Sequence, residues 1–378
     1  MNVEAVFDVA VIGAGIAGAS VAWRLAPLLG VALIERESQA GFHSTGRSAA
    51  MFMESYGPPA VRALTRAGRA FYERPPTGFA AAPLLAPRGA LYLAAPGQQA
   101  LLDEAVAALR ITGSAMQQLR RDEVLARVPC LRPEAALAGV LDVDATDIDV
   151  HALHQGFLRG FRQRGGALHL GAGLLAASRS GALWELRLAN GDALRCRWVV
   201  DAAGAWADEV AALFGAAPVG LQPRRRTAFT FKGPEGLDAS RWPAVVGIDE
   251  SYYFKPDAGQ LLGSPANADP TFAHDVQPEE LDVATGIARI EAVSTLRIRR
   301  PTSTWAGLRS FVPDGELVIG PDDGCPGFFW LAGQGGYGIQ SAAGASELAA
   351  ALLLGRPVPD NLLRHGVDAA ALSPPRLR

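Results

Sequence analysis

The stretch FDVAVIGAGIAG, residues 7–18, joins a short apolar β-rich run to a glycine-rich turn, and an apolar helical pattern follows it. Gly13 permits the tight turn, Gly15 lets the backbone approach a pyrophosphate, and Gly18 lets the helix pack closely on the strand. The helix N-terminus adds unpaired N–H groups and a partial positive charge. This order of elements predicts a Rossmann-like unit that binds a dinucleotide.

A second strand of this unit is predicted at Val31–Ile34, after Gly30. It ends at Glu35, at about the ~20-residue offset where an acidic side chain accepts a hydrogen bond from a ribose hydroxyl. The two strands, the turn and the acid together favour a dinucleotide site over a glycine turn that binds nothing.

A second glycine pattern, GAGLLA at residues 171–176, lacks a following helix in the sequence. Strand-like segments at 183–188 and 194–200 flank an Asn190-Gly191 turn signal instead. We therefore predict a β-meander here and assign it no phosphate. With one dinucleotide site, the chain lacks the second nucleotide domain of enzymes that bind two dinucleotides.

Composition excludes several classes of protein. A net charge of −3 and 49% hydrophobic residues give no reason to expect nucleic acid as a partner, so a small-molecule partner is predicted. The three cysteines are isolated in the sequence and are predicted to be buried. We find no signal-peptide pattern and no apolar run of 18 residues, which favours the cytoplasm and leaves peripheral membrane association open.

The strand, glycine and helix order returns twice, at residues 199–215 and 328–355. Three such strand ends predict an α/β nucleotide-binding domain assembled from separated segments, with a mainly antiparallel sheet as a second layer. The predicted nucleotide-binding domain comprises residues 1–83, 146–220 and 307–378, and the predicted substrate domain comprises residues 84–145 and 221–306.

The ordered set of motifs resembles the FAD-dependent D-amino acid oxidase superfamily, and within it the D-arginine dehydrogenases. It consists of the N-terminal fingerprint, STGRSAA (44–50), AAGAW (202–206) and AGQGGYG (332–338). The resemblance runs nearly end to end, with WAGLRSF at 305–311 among the supporting stretches. It implies a discontinuous FAD-binding domain of the glutathione-reductase type and a substrate domain with flanking helices.

The same resemblance implies that FAD binds non-covalently, because covalent relatives use a cysteine or histidine in stretches where this chain has neither. Either O₂ or a quinone-like acceptor would reoxidise the flavin. The residues expected to bind FAD are Gly13, Gly15, Ile16, Ala17, Gly18, Glu35, Arg36, Ser44, Thr45, Arg47, Ser48, Ala49, Ala203, Gly204, Trp206, Gly335, Gly336, Tyr337, Gly338, Ile339 and Gln340.

Five residues match the family's substrate contacts. Arg309 matches the bidentate carboxylate anchor and Arg226 a second contact, while Tyr253 and Tyr56 match tyrosines that bind the carboxylate or gate the site. The Gly336 carbonyl would accept from the α-amine. The implied reaction transfers a hydride from the substrate Cα to flavin N5, and the imino acid hydrolyses to a 2-keto acid and ammonia. We find no dedicated side-chain base, so the amine proton would leave to water.

The substrate side-chain pocket is predicted to be apolar. D-arginine-specific relatives carry polar residues after STGRSAA and an acid that pairs with the substrate guanidinium. A guanidinium held without its carboxylate would cost several kcal/mol, whereas burying about 100 Å² of alkyl surface gains about 2.5 kcal/mol. The predicted substrates are thus hydrophobic D-amino acids such as D-leucine, D-methionine or D-phenylalanine, and the D configuration rests on the resemblance alone. The predicted pocket residues are Met51, Met53, Ala90, Ala244 and Val246.

Three alternatives stay open from the sequence. A glycine or sarcosine-type amine oxidase would share the fold, and a D-arginine or D-lysine dehydrogenase would follow if Glu54 turned inward and replaced the missing acid. A regulatory module that binds a nucleotide without catalysis is the third. Phe52 is predicted to point away from Met51 and Met53, because side chains alternate along a strand.

No metal site is predicted. His151 and His154 lie three residues apart on a predicted helix, but no third and fourth ligand is near them in the sequence. The aspartates between residues 142 and 149 lack the glycine and the terminal glutamate of a calcium loop. We interpret them as turn and helix N-cap residues.

Overall fold

The computed structural model describes residues 5–112 and 115–378, and it has a mixed α/β architecture. The strands are β1 Ala5–Ile12, β2 Val31–Ile34, β3 Met51–Phe52, β4 Leu85–Pro87, β5 Ala90–Ala94, β6 Met116–Arg120, β7 Ala138–Asp142, β8 Thr146–Ile148, β9 Ala167–His169, β10 Leu174–Ser180, β11 Leu183–Leu188, β12 Ala193–Asp201, β13 Gln222–Phe231, β14 Ala244–Gly247, β15 Tyr253–Asp257, β16 Gln260–Ser264, β17 Asp269–Pro270, β18 Ser303–Phe311, β19 Val318–Pro321 and β20 Phe328–Ala332. The helices are α1 Ile16–Leu25, α2 Pro59–Glu73, α3 Gln99–Thr112, α4 Arg121–Arg127, α5 Val150–Gln163, α6 Ala207–Leu213, α7 Glu280–Val293, α8 Gly338–Leu353 and α9 Asp360–Arg364.

The first sheet places β1 between β2 and β12, in the order β10-β11-β12-β1-β2-β9. β1, β2, β9, β12 and β20 run parallel, so their carboxyl ends meet at one edge. α1 packs against α5 and α8, and α8 packs against α2. The strand, turn and helix predicted from residues 7–18 are confirmed, because β1 ends at Ile12 and α1 begins at Ile16. The open edge of a parallel sheet next to such a turn is where α/β folds bind ligands.

The segment after the second glycine pattern is a meander, as predicted. β10, β11 and β12 pair antiparallel in succession, and β10 begins at Leu174 directly after the glycines. No helix follows this turn, so it offers no helix N-terminus to an anion.

The second sheet is nine-stranded and antiparallel except for the β5–β14 pair. Its order is β17-β13-β16-β15-β14-β5-β7-β6, with β18 also beside β13. β18 pairs with β13 from Gln222↔Phe311 to Thr230↔Ser303. The domain boundary predicted between residues 306 and 307 therefore falls within a strand of this sheet, and the division into two domains stays a prediction.

A small antiparallel sheet, β3-β8-β4, carries the residues after the STGRSAA segment. Phe52 is fully buried and packs against Tyr72, with the two ring centroids 5.0 Å apart. Its neighbours Met51 and Met53 lie in a different apolar cluster, with Ala90. The alternation predicted for these three residues is therefore confirmed.

Three further features of the described chain bear on the predictions. Asp149 caps α5, because its carboxylate accepts a hydrogen bond from the Ala152 N–H. Cys130, Cys196 and Cys325 are free and buried. Among residues 5–112 and 115–378, none of the helices combines the length and the hydrophobicity that a membrane crossing requires.

Candidate active site

Three connected cavities lie at the carboxyl edge of the parallel strands. We name them the long cavity, of about 620 Å³, the middle cavity, of about 110 Å³, and the inner cavity, of about 130 Å³. Ser44, Thr45 and Gly335 line both the long and the middle cavity. Arg309 and Gly336 line both the middle and the inner cavity. The three form one continuous path from the α1 turn to the second sheet.

Gly13 in the turn before α1 and Gly18 in the first turns of α1 have no room for a side chain. Gly13 has a φ of +97°, and a Cβ atom there would lie 2.5 Å from the Ala202 carbonyl oxygen. A Cβ at Gly18 would lie 1.8 Å from the Gly13 oxygen. Gly18 thus serves helix packing, as predicted. Thr45 caps the helix from a distant segment, because its Oγ1 accepts from the Ile16 N–H at 3.0 Å.

Glu35 lies at the wall of the long cavity and is buried. Its two carboxylate oxygens accept from the N–H groups of Ala14 and Glu37, at 2.9 and 3.0 Å. These bonds fix the carboxylate beside the turn, and each oxygen keeps lone pairs for a further donor. The residues predicted for the cofactor that line the long cavity are Gly13, Gly15, Ile16, Ala17, Glu35, Arg36, Ser44, Thr45, Ala203, Gly204, Trp206 and Gly335.

The second glycine pattern also lines the long cavity, which sequence analysis missed. Gly173, Leu174 and Leu175 form part of the wall. Backbone hydrogen bonds hold this segment there, since the Ala172 N–H donates to the backbone carbonyl oxygen of Glu35 at 2.8 Å. Backbone pairing with the chain after β2 holds this segment in place, and the segment contributes apolar surface to the cavity wall. Neither the pairing nor the surface could be inferred from the spacing of the glycines.

Arg47 has a different set of contacts from the one expected. It lines the middle cavity, but its guanidinium donates to the carbonyls of Val276 and Ala306, at 3.0 and 3.1 Å, and pairs with Asp275. The Arg47 carbonyl in turn accepts from the Trp305 indole N–H at 3.0 Å. Because these donors are occupied, Arg47 fastens the STGRSAA segment to β18 and the preceding loop rather than presenting a free guanidinium to a phosphate. The other residues predicted for the cofactor that line the middle cavity are Ile16, Ser44, Thr45, Ser48, Ala49, Gly335, Gly336, Gly338 and Ile339.

The inner cavity brings together the five residues predicted for the substrate: Arg309, Arg226, Tyr253, Tyr56 and Gly336. The Arg309 Nη1 atom lies 3.5 Å from the Tyr56 hydroxyl, and Arg226 Nε donates to the Asn267 carbonyl at 2.5 Å. Within the described part of the chain, neither guanidinium forms an ion pair with an aspartate or glutamate.

The two guanidiniums give the inner cavity a positive potential. Burial lowers the pKa of Arg226, and the nearby charge of Arg309 lowers it further. Burial would raise the pKa of Tyr253, but the charges of Arg226 and Arg309 outweigh it and lower that pKa. Two cations that share a cavity and lack a carboxylate suit an anionic ligand, which would relieve their repulsion.

Gly336 has a steric role beside Arg309. A Cβ atom at Gly336 would lie 2.9 Å from Arg309 Nη1 and 3.0 Å from Cζ. The loop is held against β18, because the Gly335 N–H donates to the Ser310 carbonyl at 2.9 Å. The guanidinium therefore lies directly on the backbone of the loop before α8.

Two residues predicted for the cofactor lie elsewhere. Tyr337 packs against Tyr56, with centroids 5.1 Å apart, and lines a separate cavity with Tyr92 and Glu250. Gln340 lines the inner cavity, and its amide donates to the Tyr56 carbonyl at 3.1 Å. Backbone spacing alone could not show which way these side chains turn from the loop and helix.

Four of the five residues predicted for the side-chain pocket lie together in the structure. Met51, Met53, Ala244 and Val246 line the inner cavity. Ala90 does not line it, because it is fully buried in an apolar cluster with Met53 and Ala145.

The sequence left open whether Glu54 turns inward, and the structure shows that it does not. The Glu54 carboxylate pairs with Arg69 Nε at 2.5 Å, and Glu54 does not line the inner cavity. Arg69 lies on α2 and holds this acid away from the cavity. The case for a cationic substrate that rested on Glu54 therefore fails.

Five residues of the inner cavity were not predicted from the sequence: Ala50, Tyr92, Glu250, Lys255 and Ala266. Lys255 lies two residues after Tyr253 in β15, a spacing that places both side chains on one face of the strand. That spacing could have identified Lys255. Glu250 is an exposed residue in the turn between β14 and β15, with a φ of +54°.

The histidine pair does not form a metal site in the described residues. His154 is buried, and its Nε2 lies 2.9 Å from the Ala14 carbonyl oxygen, beneath the turn that precedes α1. No group of three or more histidine, cysteine, aspartate or glutamate side chains in residues 5–112 and 115–378 could hold an ion. His154 supports the turn.

Comparison with known proteins identifies the family. The family model described as "DAO: FAD dependent oxidoreductase" matches residues 8–352. The chain belongs to this family. FAD is therefore its cofactor. The resemblance to D-arginine dehydrogenases within the family stays a prediction.

This FAD-dependent oxidoreductase is similar to several proteins whose names indicate different substrates. Hydrogen cyanide synthase subunit HcnC of Pseudomonas aeruginosa is 26% identical over 195 residues, which cover 50% of this chain and 45% of that protein. The chain spans less than half the length of the first curated relatives it matches. Glycine oxidase of Geobacillus kaustophilus has the same fold, with a TM-score of 0.82, 22% identity and coverage of 98% of each chain. L-proline dehydrogenase of P. horikoshii has a TM-score of 0.84, 19% identity and coverage of 99% of this chain and 98% of that one.

The cavities of this FAD-dependent oxidoreductase fit the cofactor. The long cavity joins the glycine turn and Glu35, which suit the ADP part, to the middle cavity beside the loop before α8. Side chains would fill this path, because a Cβ at Gly15 would lie 3.2 Å from Thr45 Oγ1 and one at Gly338 would lie 2.9 Å from Gln334 Cγ. The residues present are thus compatible with an extended dinucleotide.

Proposed function

We propose that the protein oxidises hydrophobic D-amino acids to imino acids, which hydrolyse to 2-keto acids and ammonia. The observation that carries the proposal is the pair of guanidiniums, Arg309 and Arg226, that face the inner cavity without a carboxylate partner in the described chain. An amino acid supplies the missing carboxylate. FAD, when bound, supplies the acceptor for the substrate's two electrons.

The chain's own residues fix and prepare the substrate. Arg309 binds the carboxylate, and the hydroxyls of Tyr56 and Tyr253 hydrogen-bond the same group. The Gly336 carbonyl accepts from the α-amine and orients Cα. The amine loses its proton to water, because the predicted contacts include no imidazole and the only carboxylate among the cavity's described lining residues, Glu250, is exposed.

The walls of the inner cavity support an apolar side chain. Met51, Met53, Ala244 and Val246 present thioether and alkyl surface. Burying about 100 Å² of substrate against them gains about 2.5 kcal/mol. The D configuration rests on the family resemblance.

A glycine or sarcosine-type oxidase is the second candidate. The inner cavity is small, at about 130 Å³, which suits a substrate with little or no side chain. The shared fold with glycine oxidase is consistent with it.

An anaerobic substrate panel tests both candidates. We expect D-leucine, D-methionine and D-phenylalanine to bleach the flavin absorbance at least about tenfold faster than their L forms, glycine, sarcosine or D-arginine. Matching D and L pairs control for non-specific reduction. Faster bleaching by glycine or sarcosine would select the second candidate, and faster bleaching by D-arginine would refute the apolar pocket. No bleaching by any amine would leave only nucleotide binding without catalysis.

Replacing Gly336 with alanine should weaken substrate binding and leave the fold intact. The new Cβ would displace the Arg309 guanidinium, which is the mobile end of its side chain, so the backbone need not shift. We expect the KM for the best amino acid to rise about 10- to 100-fold, on the scale of a weakened charged hydrogen bond. KM, flavin content and Tm are the measurements. The control is Gly233→Ala, where the Cβ meets nothing within 4 Å. An equal KM in the two variants would show that a Cβ at Gly336 does not disturb Arg309.

A further inference from the structure

Lys255 is a buried cation in the wall of the inner cavity. It is one of two lysines in the chain and is 6% exposed. Tyr253, two residues before it in β15, lines the same cavity. The strand therefore directs both side chains into the inner cavity. Tyr253 hydrogen-bonds Arg226 and lies near Arg309, the two guanidiniums proposed for the substrate carboxylate.

The ammonium group of Lys255 has more donors than its protein partners use. It carries three N–H donors. One donates to Asp147 Oδ1 at 2.7 Å, and the Asp257 Oδ1 atom lies 3.9 Å away, beyond hydrogen-bond distance. Buried donors normally find acceptors. The cavity is where a further acceptor can reach this group.

Asp147 does not neutralise this end of the cavity. Its second oxygen accepts from Arg88 Nε at 2.7 Å, so one carboxylate faces two cations. Arg88 also donates to the carbonyls of Ser240 and Trp242. With Asp257 counted as well, two cations face two carboxylates here, so the attraction for an electron-rich ligand atom comes from the N–H donors that Lys255 does not use toward Asp147.

We infer that Lys255 is a specificity-determining residue that binds an oxygen acceptor at the end of the substrate side chain. The pocket is apolar along its methionine walls and polar at this one point. Side chains that end in a carboxamide or carboxylate oxygen are thus recognised in addition to purely apolar ones. This inference rests on the proposed function for the nature of the substrate.

The test compares two ligands of equal size that lack an amine and so cannot be oxidised. Succinamate and 4-methylpentanoate differ in having a carboxamide or an isopropyl group at the end remote from the carboxylate. Their dissociation constants are measured on the FAD-loaded protein from changes in flavin absorbance, with thermal shift as a second readout. The preference for succinamate is the dissociation constant of 4-methylpentanoate divided by that of succinamate. We expect this ratio to fall at least fivefold in Lys255→Met. The preference should be unchanged in Lys232→Met, where the lysine is exposed.

The variant is expected to fold, because Asp147 keeps its bond to Arg88. Lys255→Met with Asp147→Asn is the second variant if it does not. A purely structural ion pair would change Tm and leave the ligand preference alone. A fall smaller than fivefold, or no binding of succinamate to the native protein, overturns the inference. The ratio of the two dissociation constants can be measured even if no amino acid reduces the flavin. Failure of the proposed function would instead appear in the substrate panel, so the two failures can be told apart.

Discussion

Replacing Arg309 with methionine is expected to lower kcat/KM for the best amino acid by about 100- to 4000-fold. Removing one partner of a buried charge pair costs about 3–5 kcal/mol, and each 1.4 kcal/mol is a factor of ten. The substrate carboxylate would be left facing an apolar thioether, and Arg226 alone would remain to bind it. Steady-state kinetics with the best substrate of the panel measures the loss.

The FAD content should not change in this variant, because the glycine turn, Glu35 and most other predicted cofactor contacts line the long cavity, which Arg309 does not line. Arg224→Met is the matched control. Arg224 pairs directly across from Arg309 in the sheet, yet its guanidinium lies 5.8 Å from the Phe311 ring centroid and lines none of the three cavities. We expect native kinetics from it. A native kcat/KM for Arg309→Met would remove the carboxylate anchor from the proposal.

The local parts of the fold could be predicted because they follow from neighbouring residues. Residues 7–18 predict β1, the glycine turn and α1, because a strand-like apolar run gives way to a helical apolar pattern and three glycines mark the turn. The opposite orientation of Phe52 and Met51 follows from the two-residue period of a strand. Such features need no knowledge of the rest of the chain.

Contacts between distant segments could not be predicted in the same way. Arg47 is engaged by acceptors more than 220 residues later in the chain, at Asp275, Val276 and Ala306. The wall at Gly173 is set by backbone pairing with the end of β2. A motif shared with a family indicates that a residue such as Arg47 lies near the cofactor site, but it does not identify the residue's hydrogen-bond partners.

The charges of the inner cavity show the same limit. Sequence analysis removed an acid from the pocket by comparison with relatives and did not see that β15 adds a cation, Lys255, and that the turn before it adds an acid, Glu250. Ala90 was assigned to the pocket surface, but it is fully buried and does not line the inner cavity. A pocket built from strands of two sheets depends on their register, which no single segment encodes.

Replacing Gly13 with alanine is expected to abolish FAD binding, so that the purified protein is colourless. The φ of +97° is unfavourable for any residue with a Cβ, at a cost of about 1–2 kcal/mol. The added Cβ would also lie 2.5 Å from the Ala202 oxygen and 3.0 Å from the Ala203 Cα atom. Both neighbours are backbone, so the clash can be relieved only by moving the end of β12 or the turn, and the turn is the predicted phosphate site.

Gly181→Ala separates the two effects. Gly181 also has a positive φ, of +62°, in the β10–β11 turn, but a Cβ there meets nothing within 4 Å. It should lose a similar 1–2 kcal/mol of stability through backbone strain and keep its FAD. Flavin absorbance per protein chain and the dissociation constant on reconstitution with FAD measure the difference. If Gly13→Ala binds FAD as tightly as Gly181→Ala does, then the turn tolerates the shift and the pyrophosphate is held by other residues. Because the clash lies at the turn itself, a cofactor defect that appears only in Gly13→Ala can come from the contact with β12 alone.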